Sequence, residues 1–359
     1  MSARLRILFL NSWLEETARG SGTAAGIAGL AQGLGALGHE VAWLRPRWPL
    51  PGLALRRLLY NAGLPFRFDP RAFDLIVGFD IDGFALPRAS APRRVVCLKG
   101  VAAEEMAFER GWPRLRLGLL ARLEGRNARR ARRVFVTSGH SRRAASDAYG
   151  LPAEKLSVVP EGIDLAPWDA LCAVPRPSRG GPPVVLSVAR QYPRKNTASL
   201  IDAMPRVRAQ VPGARLRVVG GGPMLRDLRR RAAALGLSEA VSFMGEVPRD
   251  ADVRQEYFGA DVFCLPSLQE GFGIVFLEAM AAGLPIVAAR AGAAPEVAAE
   301  GEAALLVPPG DTGALADALV RLLRDAGLRA RLGEGGRRRV RRYGWTEVAR
   351  RFLEEADRE

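Results

Sequence analysis

The sequence predicts an α/β protein built as two doubly wound, Rossmann-like domains facing a cleft, and three observations carry that prediction. Short apolar runs of strand length alternate with helix-period stretches along the whole 359-residue chain, the pattern of parallel sheets covered by helices on both faces. The pattern restarts after residues 173–183 (AVPRPSRGGPP), an exposed-linker composition of four prolines and two adjacent glycines. Glycine-rich or charged clusters follow the strands, at the carboxyl ends where such sheets bind ligands. Length agrees, because single cores stop growing near ~250–300 residues.

The elements follow in order. Residues 5–10 (LRILFL) read as a buried first strand. A glycine loop (Arg19, Gly20, Ser21, Gly22) and a helical pattern over 24–37 come next; Gly38 closes that helix and residues 41–44 restart a strand. Strand-like runs recur at 75–77, 95–98 and 134–136. Beyond the linker, 184–188 is again a buried strand, followed by a helix at about 197–210 and strands at 216–219, 241–243, 262–265, 286–288 and 304–307. Residues 345–359 form an amphipathic helix with Val348, Phe352 and Leu353 on one side. The predicted division is 1–172 for the first domain and 173–344 for the second. The helix at 345–359 closes the chain and is placed back towards the first domain.

Composition narrows the class. A hydrophobic fraction of 48% suits a globular protein. No apolar run reaches the ~18 residues needed to span a bilayer, and the apolar start is too short for a signal peptide, so a cytoplasmic location is expected. Cys97, Cys172 and Cys264 lie far apart without a CxxC pair, which argues against a disulfide framework or a zinc site. Only His39 and His140 are present, leaving little for histidine-based catalysis or a multi-histidine metal site. Net charge is +15, concentrated in residues 1–168, which hold 25 basic and 15 acidic side chains. Fifty of the 53 basic residues are Arg, which makes the three lysines, Lys99, Lys155 and Lys195, conspicuous. A chain this basic suits anionic lipid, an anionic acceptor or nucleic acid, and charge alone does not choose among them.

The most informative segment is 270–278 (EGFGIVFLE). Gly271 and Gly273 permit close backbone approach to a ligand. A helix starting near Ile274 would aim backbone N–H groups and its positive dipole end at an anion, most naturally a phosphate. Glu270 before the loop and Glu278 one turn into the helix can each accept hydrogen bonds from hydroxyls. Phosphate between two hydroxyl-rich groups describes a nucleotide-sugar; the plainer reading is a glycine turn before a solvated amphipathic helix.

Residues 189–196 (ARQYPRKN) follow a strand and hold three cations. Fixed cations would stabilise a pyrophosphate leaving group more in the transition state than in the ground state. Arg190 offers a planar fork and Lys195 a point charge; a basic surface loop is the alternative. Gly20-Ser21-Gly22-Thr23-Ala24-Ala25 formally fits the dinucleotide fingerprint, yet nine residues separate it from its strand. A glycine loop over a phosphate suits it better. Gly220-Gly221-Gly222-Pro223 fits any tight strand-to-helix turn. The Arg runs at 129–133, 229–231 and 337–342 read as solvated helix faces. Residues 112–133 mix Trp and Leu with eight Arg and one Glu, which fits both an anionic membrane surface and a packed helix with a basic outer face.

Together these features resemble the retaining glycosyltransferases of family 4, which have the GT-B fold. The resemblance covers nearly the whole chain. It rests on EGFGIVFLEAMAAGLPIVA (270–288), SVARQYPRKN (187–196), VVGGGPMLRDL (218–228), VSFMGEV (241–247), VVPEGID (158–164) and GHEV (38–41). It implies a donor site for a nucleoside-diphosphate-sugar in the second domain and an acceptor site in the first. Glu278 would bind the ribose, Arg190 and Lys195 the diphosphate, and Glu270 with the backbone of Gly271, Phe272, Gly273 and Ile274 the donor sugar. Gly245, Glu246 and Val247 would border the base. Gly20, Ser21, Gly22, Lys99, Gly222 and Val275 complete the expected donor contacts, with Glu270, Arg190 and Lys195 in catalytic positions.

The family transfers by front-face displacement with retention and usually without a required metal, so no metal or other cofactor is expected beyond the co-substrate. Where many members carry a histidine, this chain has Lys99-Gly100, so the histidine's role is not carried over to Lys99. Glu161-Gly162-Ile163-Asp164 stands where many relatives have N-G-x-D and reads as structural. The expected function is sugar transfer to an acceptor hydroxyl, sugar or lipid-linked, in surface-polysaccharide or glycolipid assembly, at the cytoplasmic membrane face if 112–133 meets lipid. The alternatives are another GT-B enzyme such as a nucleotide-sugar 2-epimerase, against which the E-x7-E pattern counts, and a nucleic-acid-binding protein, for which no module is visible.

Overall fold

A computed structural model describes residues 4–13, 22–46, 53–87, 93–174 and 181–358. The chain divides into two compact units, Met1–Gly162 with Trp345–Glu359, and Ile163–Gly344.

The first unit holds β1 (Arg6–Leu10), β2 (Glu40–Leu44), β3 (Leu75–Phe79), β4 (Arg94–Leu98), β5 (Arg133–Val136) and β6 (Leu156–Val158) in the order β2-β1-β3-β4-β5-β6. All pairs are parallel, with Leu8 opposite Ile76 and Gly78 opposite Val96. Because side chains alternate across a strand, the register sorts the core onto two faces. Ile7, Phe9, Val77, Phe79, Val95 and Cys97 face the helices Gly22–Ala36 and Trp345–Asp357. Leu8, Leu10 and Ile76 face Tyr60 and Leu64, while Val96 and Leu98 face Ala121 and Ala128 of the helix Gly111–Arg130. The chain-terminal helix is seated by close approach: a Cβ on Gly29 would lie 1.9 Å from the Trp345 ring, and one on Gly33 2.3 Å from the Trp345 carbonyl oxygen.

The second unit holds β7 (Val184–Val188), β8 (Arg215–Val219), β9 (Val241–Gly245), β10 (Val262–Leu265), β11 (Ile286–Ala289) and β12 (Ala304–Val307), all parallel, in the order β12-β11-β10-β7-β8-β9. Strand order reverses between β7 and β10 here and between β1 and β3 in the first unit. In open α/β sheets such a reversal leaves a crevice at the carboxyl ends of the strands.

The sequence reading omitted β6, a three-residue edge strand whose Ser157 interrupts the apolar run. The units divide after Gly162, ahead of the 172/173 boundary drawn from linker composition. Tertiary packing places the boundary: Ile163 N–H donates to Tyr343 C=O at 2.9 Å, and Trp168, on the helix Ala166–Cys172, packs edge-on against Tyr257 with ring centroids 5.5 Å apart.

Candidate active site

The polar groups of the second unit converge on the loops that follow its strands, around the β7/β10 reversal. After β7, Gln191 is fully buried. Its side chain donates to Ala189 C=O at 2.6 Å and accepts from Thr197 Oγ1 at 2.7 Å. Its backbone N–H donates to Gly221 C=O at 2.8 Å and its carbonyl accepts from Met224 N–H at 3.0 Å. A Cβ on Gly222 would meet the Gln191 backbone at 2.6 Å, and Gly222 has φ +148°. Only glycine brings these loops together so closely.

Arg194 C=O accepts from Leu268 N–H at 2.8 Å, which fastens the β7 loop to the loop after β10. Across that junction Lys195 Nζ donates to Glu270 Oε1 at 2.5 Å, and Ser267 Oγ donates to the same oxygen at 2.8 Å. Glu270 C=O in turn accepts from Ala293 N–H at 2.9 Å, which ties in the loop after β11. Both charged side chains are largely buried. Burial would raise the Glu270 pKa, but the net direction is down, because the Lys195 and Arg194 charges and the hydrogen bonds from Lys195 and Ser267 outweigh it. Glu270 is therefore held as a carboxylate beside a fixed cation.

The helix Ile274–Ala281 starts four residues further on. Its N-cap is Gly273 at φ +87°, and no side chain caps it. A helix start of this kind presents backbone N–H groups and positive dipole to an anion. Glu278 on the same helix accepts from Tyr257 Oη at 2.6 Å. Burial raises its pKa and the Tyr257 hydrogen bond offsets only part of that. Arg190 stands at the rim, half exposed, with its guanidinium 3.7 Å from Glu246 Oε1. The arrangement can seat an anion on the cations and the helix start, with carboxylates on either side to accept from hydroxyls.

Arg190, Lys195, Glu270 and Glu278 thus all lie on the loops and helix around one reversal. Gly222 serves loop packing. Gly245, at φ +67°, ends β9 with open space where a Cβ would stand, followed by the exposed Glu246 side chain and the half-buried Val247. Gly271 is half-buried in the loop between Glu270 and Gly273. The Phe272 side chain is buried in the core against the Tyr343 ring, so only its backbone can face a ligand. Ile274 and Val275 also pack against that core.

Lys99 belongs to the first unit, where its Nζ donates to Glu161 Oε1 at 2.8 Å in a buried pair. Glu161 Oε2 is buried with no hydrogen-bond partner. Gly22 is the first residue of its helix, and Gly20 and Ser21 lie outside the described residues. Sequence reasoning missed Ser267, Tyr257 and Gln191. Ser267 is close in sequence to Glu270, whereas nothing local marks Tyr257 as the partner of Glu278, 21 residues away. Among the described residues no group of three or more His, Cys, Asp or Glu side chains could hold a metal ion.

Comparison with known proteins places the chain in a family. The family described as "Glycosyl transferases group 1" matches residues 174–339, and "Glycosyltransferase Family 4" matches residues 20–167. A Mycobacterium tuberculosis protein named GDP-mannose-dependent alpha-(1-6)-phosphatidylinositol monomannoside mannosyltransferase is 34% identical over 308 residues, covering 80% of this chain and 78% of that protein. This chain belongs to glycosyltransferase family 4. Its fold is GT-B, and it is a glycosyltransferase that moves a sugar from a nucleotide-sugar donor to an acceptor. The 2-epimerase and nucleic-acid readings are not favoured.

Two solved structures share the fold at low identity. Sucrose-phosphate synthase from Thermosynechococcus elongatus has a TM-score of 0.78 at 23% identity, with 98% of each chain covered. Anabaena HepE, in complex with UDP and glucose, has a TM-score of 0.74 at 22% identity, covering 98% of this chain and 99% of that one. No helix among the described residues is long and apolar enough to cross a membrane.

Proposed function

We propose that this glycosyltransferase transfers mannose from GDP-mannose, with retention of anomeric configuration, to a hydroxyl of an inositol-containing glycolipid. The observation that carries the reading is the Lys195–Glu270 pair, buried at 2.5 Å beside the uncapped start of the helix Ile274–Ala281. As the bond from the sugar's anomeric carbon to the diphosphate breaks, negative charge builds on the departing phosphate oxygens. Lys195, Arg190 and the helix start would take up that charge. The acceptor oxygen bonds to the anomeric carbon on the face the diphosphate leaves, and its proton passes to a leaving phosphate oxygen. This route needs no separate strong base. Glu278 would accept from the ribose hydroxyls and Glu270 from the sugar. The choice of GDP-mannose and of an inositol lipid follows the Mycobacterium tuberculosis relative's name.

A thermal-shift series over nucleotide-sugars, followed by NMR of the product, tests the reading. GDP-mannose should raise the melting point more than UDP-glucose or UDP-N-acetylglucosamine, and an inositol glycolipid acceptor should yield an α-mannoside. A β-linked product, or stabilisation by UDP-sugars alone, would overturn it.

A further inference from the structure

Three strand-end loops of the second unit are stapled backbone to backbone, and together they set one carboxylate against one guanidinium. Gly220 N–H donates to Gly245 C=O at 2.7 Å, and Gln191 N–H donates to Gly221 C=O at 2.8 Å. The glycine turn 220–222 therefore lies between the loop after β7, which carries Arg190, and the end of β9, which Glu246 follows. The β8–β9 ladder shifts register between Val218 and Val219, so that Gly245 stands opposite Val219. Such shifts re-aim the side chains next to them.

The Glu246 side chain lies across that turn. A Cβ on Gly221 would stand 2.7 Å from Glu246 Cγ and 3.0 Å from its Oε1, so the bare backbone of Gly221 makes the room for it. From there Oε1 is 3.7 Å from the Arg190 guanidinium. Stability does not call for this pair. The two side chains are 46% and 73% exposed, and ion pairs so open to water contribute little to folding. Arg190 nevertheless has a second task in prospect, the diphosphate of the donor, and Glu246 sets a negative charge beside it.

Donor and product differ in charge at that place. In a nucleoside-diphosphate-sugar the terminal phosphate is esterified to the sugar. In the free nucleoside diphosphate that phosphate ionises again, with a second pKa of about 6. At neutral pH the product therefore carries more negative charge than the donor, on the phosphate that the sugar has left. A carboxylate beside Arg190 repels both, and repels the product more.

We propose that Glu246 sets the balance between donor and product. It is a specificity-determining residue that weakens the hold of Arg190 on the free nucleoside diphosphate relative to its sugar ester, and so favours product release. The inference rests on the donor reading above, in which Arg190 meets the diphosphate, and it gives Glu246 a task distinct from bordering the base. Selection is by charge: a carboxylate offers acceptors only, and phosphate oxygens need donors.

The test is calorimetric titration of the full chain and of Glu246→Gln, which keeps the size of the side chain and removes its charge. The ligands are GDP and GDP-mannose, at low and at high salt. In the variant, GDP should bind about 3–10-fold tighter and GDP-mannose no more than about 2-fold tighter. High salt should bring the affinity ratios of the two proteins together, because exposed charges are screened. In turnover assays the variant should be inhibited by correspondingly less added GDP. Its melting point should match the wild type, since the altered side chain is exposed. Weaker binding of GDP by the variant would overturn the proposal and make Glu246 a contact of the nucleotide. Equal tightening of donor and product, or a ratio shift that persists at high salt, would also overturn it. The wild type judges the donor reading separately. If UDP and UDP-glucose bind it and the GDP pair does not, GDP-mannose is the wrong donor, and the same ratio read on the UDP pair decides the role of Glu246.

Discussion

The two units reverse strand order in the same way and fill the reversal differently. Between β1 and β3 a buried carboxylate is held by neutral donors, from the neighbouring loop and from a helix. Fully buried Asp82 accepts from Ser12 N–H at 2.8 Å, Ser12 Oγ at 2.6 Å and Asn61 Nδ2 at 3.0 Å, with Asn61 on the helix Leu53–Gly63. Asn127, on the helix Gly111–Arg130, donates to the Asp80 and Asp82 carbonyls at 2.8 and 3.0 Å. Between β7 and β10 the loops are joined through a charged pair, Lys195–Glu270, with Glu270–Ala293 and Gln191–Gly221 beside it. Glycine follows the same division: Gly29 and Gly33 let one helix lie on another, while Gly222 and Gly292 let loop backbone lie on loop backbone.

Lys195 is where this contrast breaks most severely. Lys195→Ala should lower kcat/KM by at least ~10²-fold. It should also lower the melting point, because an unpaired buried carboxylate costs about 3–5 kcal/mol. Lys195→Met combined with Glu270→Gln should recover the melting point and not the activity. Near wild-type turnover in either variant would remove this pair from the reaction.

Glycine substitution separates the two units next. Gly292 has φ +57°, and a Cβ there would lie 2.6 Å from both the N and O of Glu270. Gly292→Ala and Gly29→Ala should each destabilise by about 1–3 kcal/mol. Only Gly292→Ala should also abolish the melting-point shift with GDP. Loss of that shift in both would contradict the division of roles.

Charge state sharpens the contrast further. Glu270 is held ionised, whereas burial first, and then the charge of Asp80, push the Glu124 pKa up from 4.5 to about 8. Between those two values the folded state binds a proton that the unfolded state has released. Stability from this group is therefore complete below pH 4.5 and is lost as pH rises towards 8. Glu124→Gln should flatten that decline, gaining on the order of 1–2 kcal/mol relative to wild type at pH 8 compared with pH 5. Parallel melting-point profiles would show that Glu124 does not titrate in this range.

Tyr257→Phe should have the smallest effect. It removes the hydrogen bond to Glu278 and should weaken GDP binding by roughly 3–10-fold. Without that bond the Glu278 pKa, already raised by burial, should rise further. The variant should then lose affinity at a higher pH than wild type as the solution is acidified. Calorimetric titrations that overlay at every pH would exclude a positioning role for Tyr257.

Much of the fold was legible because its signals are local. Eleven of the twelve strands among the described residues were apolar runs of strand length, and the missing one, β6, is three residues long with a serine at its centre. Glu270, Gly273 and Glu278 could be read from one nine-residue segment because a glycine turn feeding a helix is written in adjacent residues. Lys99 could not be placed this way. Its partner Glu161 is 62 residues away, so its burial in an ion pair of the first unit depends on packing and not on its neighbours. Likewise the mixed composition of 112–133 fitted a packed helix and a lipid-facing one equally, and the structure shows the packed half and the exposed half side by side.

Sequence alone determined the α/β alternation, the restart after the linker, the E-x7-E segment and the family, since periodicity and turn chemistry act over a few residues. Tertiary structure decided which charges became pairs: Lys195 with Glu270 across 75 residues, Lys99 with Glu161, and the Tyr257 hydroxyl with Glu278. Such pairings depend on which groups burial strips of water and leaves within reach of one another, and that is set only when distant segments pack.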